Sequence, residues 1–373
     1  MDVDTADATD YHYGKFPPEL ETEKFLPELL QATAALARYD QMLGSLHNSE
    51  LLLAPLRSQE AIVSSRIEGT ISTLDEILQL EAIAGESGSA PAGAFRSDTI
   101  ETALYRRALS SAQKQMEDGR QLSESLIKSV HGQLLSHGRG ASKSPGRYKL
   151  GQNYIGERGK RQVSYVPIAP EHLQVGMEEL FQYLKDDAIP ILVRTAVGHA
   201  EFEALHPFED GNGRVGRMLI TLMLWSGGAI RAPHFYISRY FEDHKDEYIE
   251  RLRQVSAAGD WSGWVAFFLR AVAEQATRNL ESAQAISAFY EEVKPEIVEM
   301  LGSKYAVTAL DFLFTHPVFV NSRFTSDAGI PSATAARFSR VLLQNGLLEV
   351  VREASGRQAA IYRFEPLMKR VRV

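Results

Sequence analysis

The sequence predicts a mainly helical protein with one β-hairpin set into it and a small module of helices and strands at its C-terminal end. Three observations predict this. From Leu26 onward apolar residues recur at three- and four-residue spacing, the period of a helix that buries one face. Only between Gln152 and Pro170 does the period change to that of strands. Beyond about Met300, three short helical stretches are followed by two strand-like ones.

Residues 1 to about 18 are acidic, then aromatic and proline-bearing, and read as a tail that docks on the body. Leu26, Leu29, Leu30, Leu36, Tyr39 and Leu43 mark a first helix. A second runs from about Ser49 to Ile67 and stops at Glu68-Gly69, where Gly69 suits the left-handed position after a helix. Glu68 is an oddity there, because a negative charge at a helix C-terminus is disfavoured by roughly 0.3–1 kcal/mol. Either it is a solvated surface glutamate or a cation from elsewhere holds it. Ser72–Leu80 forms a short helix and Gly85–Gly93 a loop. Helices return at Thr99–Met116 and Ser123–Leu135, with Ser123 as N-cap, before a loop over Gly138–Gly146.

Gln152–Gly156 and Gln162–Pro167 are the two strands of the hairpin, around the polar turn Glu157–Arg161. A hairpin alone is marginal, so it must lie against the helical body. It is decoration, or its edge pairs with a substrate peptide. Leu173–Leu184 and Pro190–Leu205 are helices leading to His206. Tyr236–Tyr240 opens a segment followed by helices Lys245–Val255 and Trp261–Ser282, the helical run continuing to about Met300. Ala309–Thr315, Thr325–Gly329 and Ser332–Asn345 are helices, and Leu347–Arg352 and Ala359–Phe364 strands. That order is the order of a winged helix-turn-helix. Residues 295–373 carry ten Lys and Arg against seven Asp and Glu, +3, which is mildly basic. Such modules bind DNA, pair as dimers or dock partners.

The composition excludes several classes. A chain of 373 residues is too long for one ordinary core. With 44% hydrophobic and 24% charged residues it folds in water. A net charge of −8 gives no general attraction to nucleic acid or anionic lipid. No cysteine is present, which removes disulfides, thiolate metal sites and cysteine nucleophiles. No apolar stretch approaches the ~18 residues of a membrane span and the N-terminus lacks a signal-peptide core, so a cytoplasmic location is expected.

The chemistry concentrates in His206-Pro207-Phe208-Glu209-Asp210-Gly211-Asn212-Gly213-Arg214-Val215-Gly216-Arg217, followed at once by the apolar run Met218–Trp225. The run predicts a buried helix, which puts the polar cluster at its N-terminus. Backbone N–H groups, glycines and two arginines there make an anion site. Each feature alone has a plain reading, a turn for the glycines and an ion pair for an arginine. Asp210 suits Mg²⁺, which takes one or two carboxylates and completes its shell with phosphate oxygens. His206 has a side chain able to take a proton from a hydroxyl near neutral pH. A competing reading places Zn²⁺ or Fe²⁺ on a face shared by His199, Glu203 and His206, although Pro207 ends the helix that would carry it.

The twelve residues match H-P-F-x-(D/E)-G-N-G-(K/R)-x-x-R, the signature of the Fic (filamentation induced by cAMP) family, at every constrained position. Ser64-Ser65-Arg66-Ile67-Glu68-Gly69 is similar to the family's inhibitory pattern (S/T)-x-x-x-E-(G/N), and 152–170 resembles its flap. The resemblance implies a Fic-type helical bundle with a flap, and a division into an N-terminal helical region (1–98), a catalytic core (99–290) and a winged helix (291–373). It implies protein adenylylation, the transfer of AMP from ATP to a Ser, Thr or Tyr hydroxyl. By the same resemblance His206 is the base, Phe208 anchors the loop and Asp210 holds Mg²⁺. Gly211, Asn212, Gly213 and Gly216 belong to the anion cradle, Arg214 and Arg217 face the β- and γ-phosphates, and Tyr240 walls the adenosine pocket. Ser64, Glu68 and Gly69 form the inhibitory motif, with Glu68 pairing Arg217; in some relatives that glutamate supports removal of AMP. The target protein would dock on the flap, and the chain itself would be one target. A homodimer is a further expectation. The alternative is a nucleotide-sensing transcriptional regulator that reads DNA through residues 295–373.

Overall fold

The computed structural model describes residues 4–45, 50–87, 95–156, 162–356 and 358–372, without the side chains of 50–53, 85–87 and 139. Its elements in chain order begin with β1 (Thr9–Asp10), α1 (Leu26–Gly44), α2 (Glu50–Ile67), α3 (Leu74–Ser87), α4 (Ser97–Glu117) and α5 (Glu124–Leu134). The hairpin strands β2 (Ile155–Gly156) and β3 (Val163–Val166) come next, then α6 (Pro170–Tyr183), α7 (Ile191–Leu205) and α8 (Asn212–Ser226). After them stand α9 (Ser238–Asp243), α10 (Lys245–Ala258), α11 (Trp261–Leu301), α12 (Ala306–Thr315) and β4 (Val318–Val320). The chain closes with α13 (Asn321–Ser326), α14 (Ser332–Gln344), β5 (Leu348–Arg352), β6 (Ile361–Phe364) and α15 (Glu365–Val371). Among the described residues no helix is long and apolar enough to cross a membrane.

The chain forms two compact units. One gathers residues up to Gln41, Val63–Gly69 and Leu104–Asn279; the other gathers Met42–Ile62, Thr70–Ala103 and the residues from Leu280 onward.

In the first unit α7 and α8 are the central pair. Every residue of α7 from Leu192 to Phe202 is buried, and so is every residue of α8 from Arg214 to Leu224. Helices buried on all sides belong in the middle of a core. Helix α6 packs on α7, α10 on α7 and α5 on α8. The indole N–H of Trp264 donates to the carbonyl of Ala196 at 2.7 Å, tying α11 to α7. The connection 206–211 therefore joins the C-terminus of one central helix to the N-terminus of the other, which fixes it from both ends.

The N-terminal tail docks on this unit and adds a strand that its composition does not announce. β1 runs parallel to β3 and β2 antiparallel to it, in the order β1-β3-β2. The next two residues, Tyr11 and His12, anchor the strand. Tyr11 Oη donates to Glu201 Oε1 at 2.7 Å and His12 Nε2 meets Glu201 Oε2 at 2.8 Å, with the side chains of His12 and Glu201 fully buried. The turn 157–161 lies outside the described residues.

In the second unit β4, β6 and β5 form an antiparallel sheet in that order. Helix α3 packs on β4 and α14 on β5. Asp75 of α3 accepts from Arg363 at 2.9 Å and from Arg372 at 3.0 Å. Two elements here, β4 and α15, are absent from the sequence-based expectation. The helix expected at Thr325–Gly329 lies instead at Asn321–Ser326, because Gly329 adopts φ +63° and Pro331 stands just beyond it, which stops a helix short of them. Ser123 occupies the N-cap position of α5 but makes no side-chain cap; its hydroxyl donates to the carbonyl of Gln121.

Replacing His12 by alanine leaves the buried Glu201 carboxylate with Tyr11 alone, a loss of about 2–3 kcal/mol for an under-satisfied buried charge. The expected result is a lower urea midpoint with unchanged slope; a midpoint equal to wild type would mean that the tail is not held by this pair.

Candidate active site

His206 ends α7 in the left-handed region, at φ 46° and ψ 59°, which turns the chain sharply out of the helix. Gly211 precedes α8 at φ 80°, where a side chain would be strained. Between these turns Phe208 is fully buried and its ring stacks on that of His131 at 3.7 Å, so the loop is pinned by an apolar plug. The Asn212 side chain closes the loop on itself. Its Oδ1 accepts from the Phe208 N–H and its Nδ2 donates to the Phe208 carbonyl, both at 2.8 Å. One of its two Nδ2 hydrogens is left over.

The first turn of α8 has the properties of an anion site. The N–H groups of Asn212, Gly213 and Arg214 have no acceptor within the helix. Arg214 is 4% exposed, and its Nε and Nη1 have no hydrogen-bond partner. Its Nη2 lies 3.7 Å from Asp210 Oδ1, beyond hydrogen-bond reach. A buried guanidinium with two unsatisfied donors costs free energy that an incoming oxyanion removes.

Arg217, one turn on, is in the opposite condition. It is 2% exposed and held from three sides: Nε donates to Ser64 Oγ at 2.8 Å, and Nη2 to the Ser64 carbonyl at 2.9 Å and to Glu68 Oε1 at 2.8 Å. All three acceptors belong to the end of α2, which Gly69 terminates at φ 82°. Burial would raise the Glu68 carboxyl, but the charge and hydrogen bond of Arg217, with Arg214 behind it, hold it below its ordinary value. The Glu68 side chain keeps 39% of its accessibility, so the pair is partly screened by solvent. Lys245 Nζ caps the same helix end by donating to the Ile67 carbonyl at 2.7 Å.

Two motif glycines make room for carboxylates. A Cβ on Gly213 would stand 2.2 Å from Glu68 Oε1, and one on Gly216 would stand 2.3 Å from Glu203 Oε1. Glu203 Oε1 is buried without a partner, and burial, opposed by Arg217 and aided by Glu68, pushes that carboxyl up to about 7.

His206 is poised as a base. Its Nδ1 faces the Glu203 carbonyl at 3.4 Å, and since a carbonyl only accepts, Nδ1 carries the hydrogen and Nε2 keeps a lone pair. Burial first, then the Lys149 cation, lowers its pKa to about 4, so the imidazole is neutral at pH 7. Asp210 is half-exposed, and its Oδ1 accepts from the Gly211 N–H at 2.6 Å. Among the described residues no three His, Cys, Asp or Glu side chains gather into a metal site. His199 has no place in one. It is wholly buried, with Nδ1 on the Gly216 carbonyl at 3.2 Å and Nε2 on the Tyr248 hydroxyl at 2.9 Å.

The structure thus brings His206, Asp210, Gly211, Asn212, Gly213, Arg214, Gly216 and Arg217 together with Ser64, Glu68 and Gly69. Tyr240, on α9, stacks on His244 at 4.1 Å and packs tilted against Phe267 at 5.8 Å, and its backbone N–H donates to Gln275 Oε1 at 3.1 Å. Sequence reasoning missed His131, which donates from Nε2 to the Asp210 carbonyl at 2.9 Å and accepts the Gly146 N–H at Nδ1 at 2.8 Å. It also missed Lys149 and Asn153, which bond the loop backbone. None of the three stands in a recognisable spacing to the motif.

Gly213→Ala tests the arrangement. The methyl displaces the flexible end of Glu68, while Ser64 keeps Arg217 in place. A folded protein in which the Glu68 pKa returns toward its ordinary value, read by carboxyl-carbon NMR, is expected; a Glu68 still depressed would contradict the geometry.

Two family descriptions match this chain: Fic/DOC family N-terminal over residues 26–114 and Fic/DOC family over residues 121–224. The protein adenylyltransferase Fic of Nematostella vectensis is 32% identical over 178 residues, 46% of this chain and 37% of that protein. The protein adenylyltransferase fic-1 of Caenorhabditis elegans is 30% identical over 86 residues, 22% of this chain and 16% of that protein. The matched stretches span less than half of these relatives' own length. In fold, the chain is similar to a Fic family protein from Desulfovibrio desulfuricans, with TM-score 0.57 at 20% identity over 93% of this chain and 98% of that one. The Fic-1 chain (aa134 - 508) of Caenorhabditis elegans has TM-score 0.54 at 20% identity, over 71% of this chain and 74% of that one. With both family regions matched, the second of them spanning the described loop, the chain belongs to the Fic/DOC family.

Proposed function

We propose that the protein is an adenylyltransferase that moves AMP from ATP to a hydroxyl side chain of a protein, itself included, and that Glu68 restrains it. The observation that carries the reading is the pair of arginines on one helix turn: Arg214 is buried with unsatisfied donors, and Arg217 is satisfied by Glu68 and Ser64. The free N–H groups of α8 and Arg214 suit a polyphosphate. Arg217 could take its terminal phosphate only in exchange for Glu68.

In the reaction, His206 Nε2 accepts the proton of the target hydroxyl as its oxygen bonds the α-phosphorus, and the bond to the leaving pyrophosphate breaks. A bound triphosphate raises the proton affinity of the imidazole from its low value toward the working pH, since anions favour the imidazolium. Asp210 is the residue that would hold Mg²⁺, and its single carboxylate fits the ion only together with phosphate oxygens; when bound, the ion would neutralise phosphate charge. The target segment would lie along the hairpin 152–170. Of its two strands β3 already has neighbours on both sides, β1 and β2, so β2 offers the open edge. The names of the relatives support adenylyl transfer over other phosphoryl chemistry.

For the C-terminal region we infer a winged helix. The order α12, β4, α13, α14, β5, β6, with β4 paired to β6, supports that reading.

Glu68→Gly is expected to raise incorporation of label from α-labelled ATP at least tenfold, and adding His206→Ala to abolish it. A Glu68→Gly protein that labels nothing, itself included, and hydrolyses no ATP would sink the assignment.

A further inference from the structure

The peptide carbonyls of residues 205–208 take donors from outside the motif, besides the Asn212 side chain that also donates to the Phe208 carbonyl. Leu205, His206, Pro207 and Phe208 present four consecutive carbonyls as the chain leaves α7. Lys149 Nζ donates to Leu205 O at 3.1 Å, and the Lys149 N–H donates to Pro207 O at 2.9 Å. Asn153 Nδ2 donates to His206 O at 3.1 Å and to Phe208 O at 3.0 Å. The two donors are joined, because Lys149 Nζ also donates to Asn153 Oδ1 at 2.7 Å. Lys149 and Asn153 thus grip alternate carbonyls of the stretch from both ends of one short segment.

We propose that Lys149 and Asn153 act together as positioning residues that set the His206 imidazole by holding the backbone of residues 205–208. This rests on the reading of His206 as the base. A non-glycine residue at φ 46° persists only where its surroundings over-determine it. Here they do so through four carbonyls. The segment has a second attachment: Asn153 lies two residues before β2, so the hairpin expected to receive the target and the backbone of the base share one side chain.

Lys149 is an unusual choice for a mere peg. It is 2% exposed, yet the acceptors of its ammonium are an amide oxygen and a carbonyl, with no carboxylate. Burial lowers its pKa to about 7, the cost expected for a desolvated cation without an ion pair. Its charge also acts on His206. The groups that face this imidazole are Lys149, which disfavours a second proton, and Glu68, Asp210 and the Glu203 carbonyl, which favour one. A neutral donor of similar shape would hold the backbone as well but would leave the base more readily protonated.

The test uses the full chain carrying Glu68→Gly, with Lys149→Met, Lys149→Arg and Asn153→Ala added singly. Lys149→Met keeps the length of the side chain in an apolar site and is expected to fold. It should lower kcat for AMP transfer at least tenfold with KM for ATP within twofold, since the phosphates are held by α8 and its arginines. Asn153→Ala should lower kcat comparably while leaving the lysine charge in place. Lys149→Arg should restore part of the loss. Independently of activity, the His206 pKa read by NMR should rise in Lys149→Met toward the ordinary imidazole value. Unchanged kcat in Asn153→Ala, or an unchanged His206 pKa in Lys149→Met, would overturn the proposal. Should the Glu68→Gly parent itself transfer nothing, the adenylyl-transfer reading fails, and the NMR titration still decides the coupling of Lys149 to His206.

Discussion

The Arg217 guanidinium is the constraint on which the candidate site depends. It is buried to 2% exposure on a helix that is mostly apolar, and a cation in such a place needs acceptors on several sides. Ser64 supplies two that are part of the fold, one from its hydroxyl and one from its backbone carbonyl. Glu68 supplies the third from a side chain that is partly open to solvent. The three differ in how easily they can be exchanged. Ser64 cannot leave without moving α2, whereas the Glu68 carboxylate can swing away and be replaced by another anion. A site built this way has a fixed half and a replaceable half.

The rest of the site depends on the same helix turn. Gly213 and Gly216 are glycines because carboxylate oxygens occupy the space of their missing Cβ atoms. Arg214, on the turn between them, has the Asp210 carboxylate at 3.7 Å, beyond hydrogen-bond reach, and keeps unsatisfied donors. One arginine therefore keeps donors that an anion could satisfy and the other is engaged, which supports the proposed restraint by Glu68. His199, buried beneath, bonds the Gly216 carbonyl and Tyr248, a structural use of a histidine that its spacing to His206 left open to a metal reading.

Much of this was legible in the sequence because it is local. The apolar run after Arg217 made α8 and put the glycines at its start, whereas the uneasy charge of Glu68 at a helix end left a solvated glutamate and a distant cation both open, and the pairing with Arg217 came from the family resemblance. Strand β1 was not legible, since two residues of an acidic tail carry no alternation and the pairing comes from β3 and from the burial of Tyr11 and His12. Nor was β4, a strand of three buried residues, too short to show a period of its own. Helix α11 runs unbroken for 41 residues, because Pro295 is accommodated inside it. His131, Lys149 and Asn153 act by touching backbone carbonyls 50 or more residues away, and such contacts leave no spacing to detect.

The central claim is that Glu68 and a terminal phosphate compete for Arg217. Calorimetric titration of wild type and Glu68→Gly with a non-hydrolysable ATP analogue and with AMP tests this most directly, since it needs no catalysis. On the proposed reading only the triphosphate would reach as far as Arg217. The account predicts that Glu68→Gly tightens the analogue about tenfold or more, as expected for a charge-assisted hydrogen bond regained, and leaves AMP nearly unchanged. Equal effects on both ligands, or none on either, would contradict it.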